Sequence, residues 1–304
     1  MRSALTVLTN ELRRLKSAGV KTVSVSAEGL LALRRAVARQ PAAGDTPPTK
    51  PGVVLAVASP AVSLAAKPAV AVPVAPSRST LPPSPSFKLP EGDKAARSAA
   101  LLALVTADPV YRAQMRPGKK VVLGVGNLDA QIMFVGEAPG AEEEIQGEPF
   151  VGPAGQLLTK MIGAMGLKRS DVYIANIMNW RPDVPVVGGG EPVGNRPPTE
   201  EEMRYCLPFF RAQIEVVQPA VIVALGSTAA QGLLGFGTFK TLGEVRGRWH
   251  EFAGKQLMVT YHPSYILRSQ TNRSKRMIWE DILKVMERAA LPITDKQRGF
   301  FLDK

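Results

Sequence analysis

One cysteine, Cys206, and two histidines, His250 and His262, are all that the 304 residues contain of these two metal-binding types. A lone thiol forms no intramolecular disulfide and no cysteine-only metal or cluster site, and it suits a reducing cytoplasm. No apolar run approaches the ~20 residues of a membrane-spanning helix, and the N-terminus lacks the order of charge, apolar block and cleavage site that marks a signal peptide. The expectation is a soluble, cytoplasmic protein with no membrane contact. Acidic residues are scarce at the front: residues 1–90 hold three against twelve basic ones, so nine of the twelve surplus positive charges lie there. Such a surplus favours an anionic partner without choosing between nucleic acid and a membrane surface.

A chain of 304 residues suits one core of around ~200 residues plus an appendage. Residues 1–40 carry two helix-like stretches, 5–17 and 27–39, with Leu5, Leu8, Leu12 and Leu15 at helical spacing and Ser26 as an N-cap for the second. Residues 41–90 contain 12 of the 26 prolines among Ala, Val and Ser, the composition of an extended, disordered linker. A folded domain is expected over residues 91–290, with a C-terminal tail at 291–304.

Within that domain the pattern alternates. A helix is expected over 93–105, strands over 131–135, 172–176, 220–225 and 256–260, and helices over 155–165, 199–217, 227–234 and 274–288. Thr199 is an N-cap with Glu202 at the capping-box position, and Ser227 caps the following helix. Strands alternating with helices predict a parallel sheet covered on both faces, with the ligand crevice beyond the strands' carboxyl ends.

Three loops fall there. The first, GEAPGAEEEIQGEPFVGPAG over 136–155, begins at Gly136 and carries Glu137, Glu142, Glu143, Glu144 and Glu148. So many carboxylates argue against a phosphate cradle, and the alternative is a solvated acidic turn. Phe150 is either core or a stacking platform for a flat ligand. Asn176 closes an apolar strand, where it caps a turn or reads a base edge; an amide pairs with uracil's O4 and N3–H but not with cytosine's reversed pattern. The third loop, YHPSYILRS over 261–269, holds His262, able to donate to an oxygen gaining negative charge. Ser264, Tyr265, Ile266, Leu267 and Arg268 follow, an apolar wedge beside a phosphate contact that suits opening a duplex. His250 has no such context.

Taken together, GEAPG, GEPFVGPAGQLL, VYIANI, PAVIVALGSTAAQGLLG, EVRGRW and YHPSYILR, in order over residues 121–287, resemble the thermostable, family-four class of uracil-DNA glycosylases. The resemblance implies a three-layer α/β/α sandwich with a short central parallel sheet. Its substrate would be uracil-containing DNA, with the base flipped into a pocket and cut from its sugar by a monomeric enzyme. It implies Glu137 in the water-positioning loop and His262 stabilising the leaving uracil anion as the catalytic pair. Uracil would be bound by Gly136, Glu143 in the space of a thymine methyl, Phe150 on the base face and Asn176 on its edge. Ser264 to Arg268 would face DNA. Alternatives are a glycosylase for another deaminated or mispaired base and a non-catalytic damage-binding protein.

The family's four cluster cysteines are not matched. None precedes Cys206, and Trp180 stands where the third belongs. One thiolate holds no iron-sulfur cluster, so no cofactor and no metal are expected, with packing around Trp180 and Met115 in its place. Residues 183–194 look like an insertion, either a surface loop or a recognition loop. No histidine lies between Asn176 and Cys206 to serve as the nucleophile of the covalently trapping relatives, so ordinary turnover is expected. The basic N-terminal extension is expected to add DNA or protein contacts.

Overall fold

The computed structural model describes residues 81–183 and 194–302; the helix-like stretches of residues 1–40, the linker up to residue 80 and the interior of the insertion lie outside them. Its six strands are β1 (Val125–Gly126), β2 (Ile132–Gly136), β3 (Tyr173–Asn176), β4 (Val221–Leu225), β5 (Trp249–Phe252) and β6 (Lys255–Thr260), in the order β1-β3-β2-β4-β6-β5. The four inner strands are parallel: Gly136 pairs with Asn176, Phe134 with Val223, and Leu225 with Thr260. Every residue of β2 and β4 is buried, as continuous apolar runs require when helices cover both faces. Two short antiparallel strands, β1 and β5, extend the parallel sheet expected from the sequence into a mixed one. Both are too short, or too polar on one side, to show as apolar runs. His250 lies on β5, its Nε2 2.9 Å from the Val245 carbonyl.

The helices are α1 (Lys94–Ala107), α2 (Pro109–Gln114), α3 (Ala141–Gln146), α4 (Pro153–Ala164), α5 (Glu200–Val217), α6 (Ser227–Leu234), α7 (Leu242–Val245), α8 (Ser264–Arg268), α9 (Asn272–Arg288) and α10 (Asp295–Arg298). One core packs α1, α5 and α6 on the sheet through Leu101, Phe210 and Ala229 with Met133 and Ile222. The other packs α4 and α9 through Leu158, Ile162, Ile278 and Ile282 with Phe134 and Val223. The result is an α/β/α sandwich. Thr199 caps α5 with Glu202 in the reciprocal position, as expected.

Three sequence expectations are corrected. The N-cap of α6 is Gly226, not Ser227: the chain leaves β4 at φ +96°, and a Cβ there would stand 3.0 Å from that of His262. The stretch after Gly140, readable as a solvated acidic turn, is helix α3, with Glu142, Glu143 and Glu144 in its first turn, where the helix dipole favours negative charge.

Residues 81–90 and 291–302, read as the end of a disordered linker and a tail, are tied down. Pro208 lies inside α5 and has no N–H for the Arg204 carbonyl one turn back. The Ser84 hydroxyl donates to that oxygen at 2.9 Å, and Phe87 stacks on Phe209 with centroids 5.2 Å apart. At the other end, the indole of Trp279 donates to the Gln297 carbonyl at 2.6 Å and packs against Phe300.

Candidate active site

At the carboxyl ends of β2, β3 and β6 a cavity of about 110 Å³ is lined by Glu137, Gly140, Glu143, Phe150, Asn176 and His262, together with Ala138, Ala154 and Asn195. Parallel pairing brings these ends level: Gly136 is the register partner of Asn176, so the last residues of the two strands lie side by side and Glu137 follows directly. Drug-sized ligands occupy several times this volume, so the cavity suits a single flat ring.

The base-sized character follows from backbone. A Cβ on Gly136 would lie 2.3 Å from Asn176 Oδ1 and 2.5 Å from the Phe150 ring, so glycine there lets amide and ring meet. Phe150 adopts φ +55°, a left-handed conformation costing a non-glycine residue about 1–3 kcal/mol. Gly155 accommodates it: a Cβ there would be 1.8 Å from the Phe150 carbonyl oxygen. The ring faces His262, with centroids 5.6 Å apart.

Asn176 is 3% exposed, yet its Oδ1 has no hydrogen-bond partner. An unsatisfied buried amide oxygen costs about 1–3 kcal/mol, so it is poised for a donor on a ligand. Glu143 is fixed by three backbone N–H groups, from Gly140, Val151 and Gly152, each at 3.0 Å. Its carboxylate is therefore a rigid wall of the cavity.

Glu137 follows Gly136, and burial raises its carboxyl pKa against the lowering effect of a hydrogen bond with Thr228 on α6. His262 has its pKa lowered to about 4, by burial first and Arg268 second, with Glu143 opposing. The Ser264 backbone N–H donates to His262 Nδ1 at 3.2 Å, and the Ser264 hydroxyl is 2.8 Å from the same nitrogen. Nδ1 is thus an acceptor, and the neutral ring carries its proton on Nε2.

The expected DNA-facing residues form α8. Leu267 is 43% exposed, whereas Ile266 is buried in the core between α4 and α9. Tyr265 stacks on Tyr261 at 4.3 Å, and the Arg246 guanidinium lies 5.2 Å from the Tyr261 ring centre. Arg268 is exposed, with Nη1 3.4 Å from the Ser264 hydroxyl. Two cavity neighbours were missed in the sequence. Thr228 reaches Glu137 only through the fold, and Asn195 was passed over as the boundary of the insertion.

The residues near Cys206 do not fit an iron-sulfur cluster. Cys206 is fully buried, and burial pushes its thiol pKa well up, the opposite of a ligand thiolate. Trp180 makes edge-to-face contacts with Tyr111 at 6.2 Å and Tyr205 at 6.3 Å. The Tyr111 hydroxyl is 3.2 Å from Met115 Sδ, and that of Tyr205 donates to Asp108 at 2.8 Å. No cluster of three or more His, Cys, Asp or Glu side chains able to hold a metal ion occurs among the described residues.

A family model described as the uracil DNA glycosylase superfamily matches residues 123–283. A type-4 uracil-DNA glycosylase of Thermotoga maritima is 46% identical over 165 residues, 54% of this chain and 80% of that protein. The type-4 enzyme of Archaeoglobus fulgidus is 44% identical over 48% of this chain and 71% of its own. That of Saccharolobus solfataricus is 40% identical over 58% and 80%.

Proposed function

Because the chain belongs to the uracil DNA glycosylase superfamily, we propose that it turns uracil out of DNA and hydrolyses the N-glycosidic bond, leaving an abasic site. One observation carries the substrate: the unpartnered Oδ1 of Asn176, beside the Phe150 ring in a cavity sized for one base. Uracil offers N3–H to that oxygen and O4 to the amide N–H. Cytosine, with an acceptor at N3 and a donor at C4, faces like against like. The fixed Glu143 carboxylate stands in the space of a thymine methyl.

When the bond from C1′ to N1 breaks, its electron pair leaves with the base, and charge collects on uracil O2 while the sugar becomes cationic. His262, neutral with its proton on Nε2, stabilises that oxygen without first having to lose a proton. Ionised Glu137, held by Thr228, accepts a hydrogen bond from water whose oxygen adds to C1′, and the displaced proton ends on the base. Asn195, which lines the cavity with its Nδ2 beside Gly140, is a further donor for that water. Leu267 and Arg268 contact DNA, the first as a wedge and the second at a phosphate.

The same reading makes this a cluster-free enzyme, active as a cytoplasmic monomer, with the aromatic packing of Tyr111, Trp180 and Tyr205 replacing the family's cluster. Among the described residues no helix is long and apolar enough to cross a membrane. The basic extension adds DNA affinity. The test is incubation with oligonucleotides holding one uracil opposite A, opposite G or unpaired, followed by alkaline cleavage, with iron and acid-labile sulfide measured on the same protein. Release of uracil at negligible iron is expected. DNA binding without release overturns the glycosylase reading, and stoichiometric iron overturns the cluster-free one.

A further inference from the structure

Arg181 is buried beside Trp180, a 4% exposed side chain paired with Glu144, itself 7% exposed, at 2.8 Å. Taking both charges out of water is costly, and a buried ion pair is weak evidence for stability but can fix a geometry. The geometry fixed here reaches the active site. Arg181 Nε donates to Asn195 Oδ1 at 2.9 Å, and its Nη2 donates to the Gly194 carbonyl. One planar guanidinium thus holds α3, through Glu144, and the returning end of the insertion, through Gly194 and Asn195. Arg116 adds a second contact to Glu144 at 3.3 Å and reaches Asp183 at the departing end.

Because Nε–H needs an acceptor, Asn195 must turn Oδ1 towards Arg181 and Nδ2 the other way. That nitrogen lies beside the N-cap of α3, where a Cβ on Gly140 would be 3.2 Å from it, and the residue lines the cavity. We propose that Arg181 is a positioning residue for the reaction: by occupying Oδ1 it presents the Asn195 amide N–H groups to the cavity, and Glu144 holds Arg181 in place to do so. This rests on the glycosylase reading. Lysine cannot substitute, because a single ammonium on a flexible stem cannot meet carboxylate, amide oxygen and carbonyl in one plane.

The experiment compares Arg181→Lys, the charge-free pair Arg181→Met with Glu144→Gln, Asn195→Ala and their combinations, each checked by thermal melting. Single-turnover uracil release at saturating DNA is measured well below each Tm. The charge-free pair leaves no buried charge without its mate, so it keeps the test open should Arg181→Met alone not fold. We expect the charge-free pair and Arg181→Lys each to slow release by about tenfold or more, with DNA affinity within about twofold. Adding Asn195→Ala should cost at most about twofold more, because both changes remove one interaction. A folded charge-free pair with the wild-type rate, or losses that multiply, overturns the proposal. A second readout does not depend on activity: the Asn195 side-chain NH2 resonances, identified by their absence in Asn195→Ala, should be shifted from the positions of a solvent-exposed amide in the parent and move towards those positions in Arg181→Lys. If the parent released no uracil the glycosylase reading would fail, and these resonances, unchanged in Arg181→Lys, would separately overturn the positioning role.

Discussion

Ser264 gives its backbone N–H to Nδ1 of His262 across 3.2 Å, and this bond decides which ring nitrogen carries the proton of the neutral ring. With Nδ1 occupied as an acceptor, the proton is on Nε2. Burial first and the positive charge of Arg268 second disfavour a second proton, and the pKa falls from 6.5 to about 4. The unfolded chain has neither constraint, so it takes up a proton first as pH falls.

The consequence for stability has a definite sign. His262's contribution is intact above the unfolded value of 6.5 and is lost as pH falls towards the folded value of about 4. The loss amounts to roughly 3 kcal/mol over that window. Urea unfolding at pH 7, 5.5 and 4.5 should show a steeper decline for the parent than for His262→Gln. Parallel declines would mean that the ring is not held neutral.

Glu137 sets the acid limb of the reaction. Its ionised form is the one that orients water, and burial raises its pKa, so kcat should fall about tenfold per pH unit once pH drops below that raised value. His262 contributes no limb near 6.5, since it is neutral throughout that range. Glu137→Gln should be slower by about 100-fold or more and should lose the acid limb. A limb that survives the substitution would assign it to another group.

Asn176 should trade stability against function. Asn176→Leu removes a buried oxygen that has no partner in the free protein, so unfolding free energy should hold or rise by about 1 kcal/mol. Uracil release should fall by about 100-fold or more, because the base edge then meets no amide. A large drop in stability would indicate that Oδ1 is satisfied in solution and is not waiting for a ligand.

How much of this was legible beforehand depends on whether neighbours in space are neighbours in sequence. The four inner strands and the helices between them are apolar runs and periodicities, readable within a dozen residues, and the expected bounds fall within two residues or so of those observed. Glu137, Asn176 and His262 could be singled out because each follows or ends such a strand. Phe150 could be singled out as an aromatic in the glycine-rich loop, but its left-handed backbone could not, since φ +55° is held by a glycine five residues later. Asn195 was invisible for a different reason: its partner Arg181 lies across the insertion, and nothing local marks the contact. The strap over α5 was hidden by composition, because ten residues rich in proline look like linker until Ser84 is found on the carbonyl that Pro208 leaves without a partner.

That strap determines how the basic extension must be tested. Cutting at residue 90 would strip Ser84 and Phe87 from α5 and mix lost stability with lost DNA affinity. Cutting before Leu81 removes eleven basic and three acidic residues and leaves the strap in place. Each phosphate neutralised contributes about −0.9 to the slope of log K against log salt on duplex DNA. If the extension reaches the backbone at only two or three phosphates, the slope should shallow by about two units in the truncated protein, measured by titration across salt concentrations. Single-turnover release at saturating DNA should stay within about twofold, since no cavity residue is touched. An unchanged slope would mean that these charges are not spent on DNA, and would leave protein contacts as the other use expected of the extension.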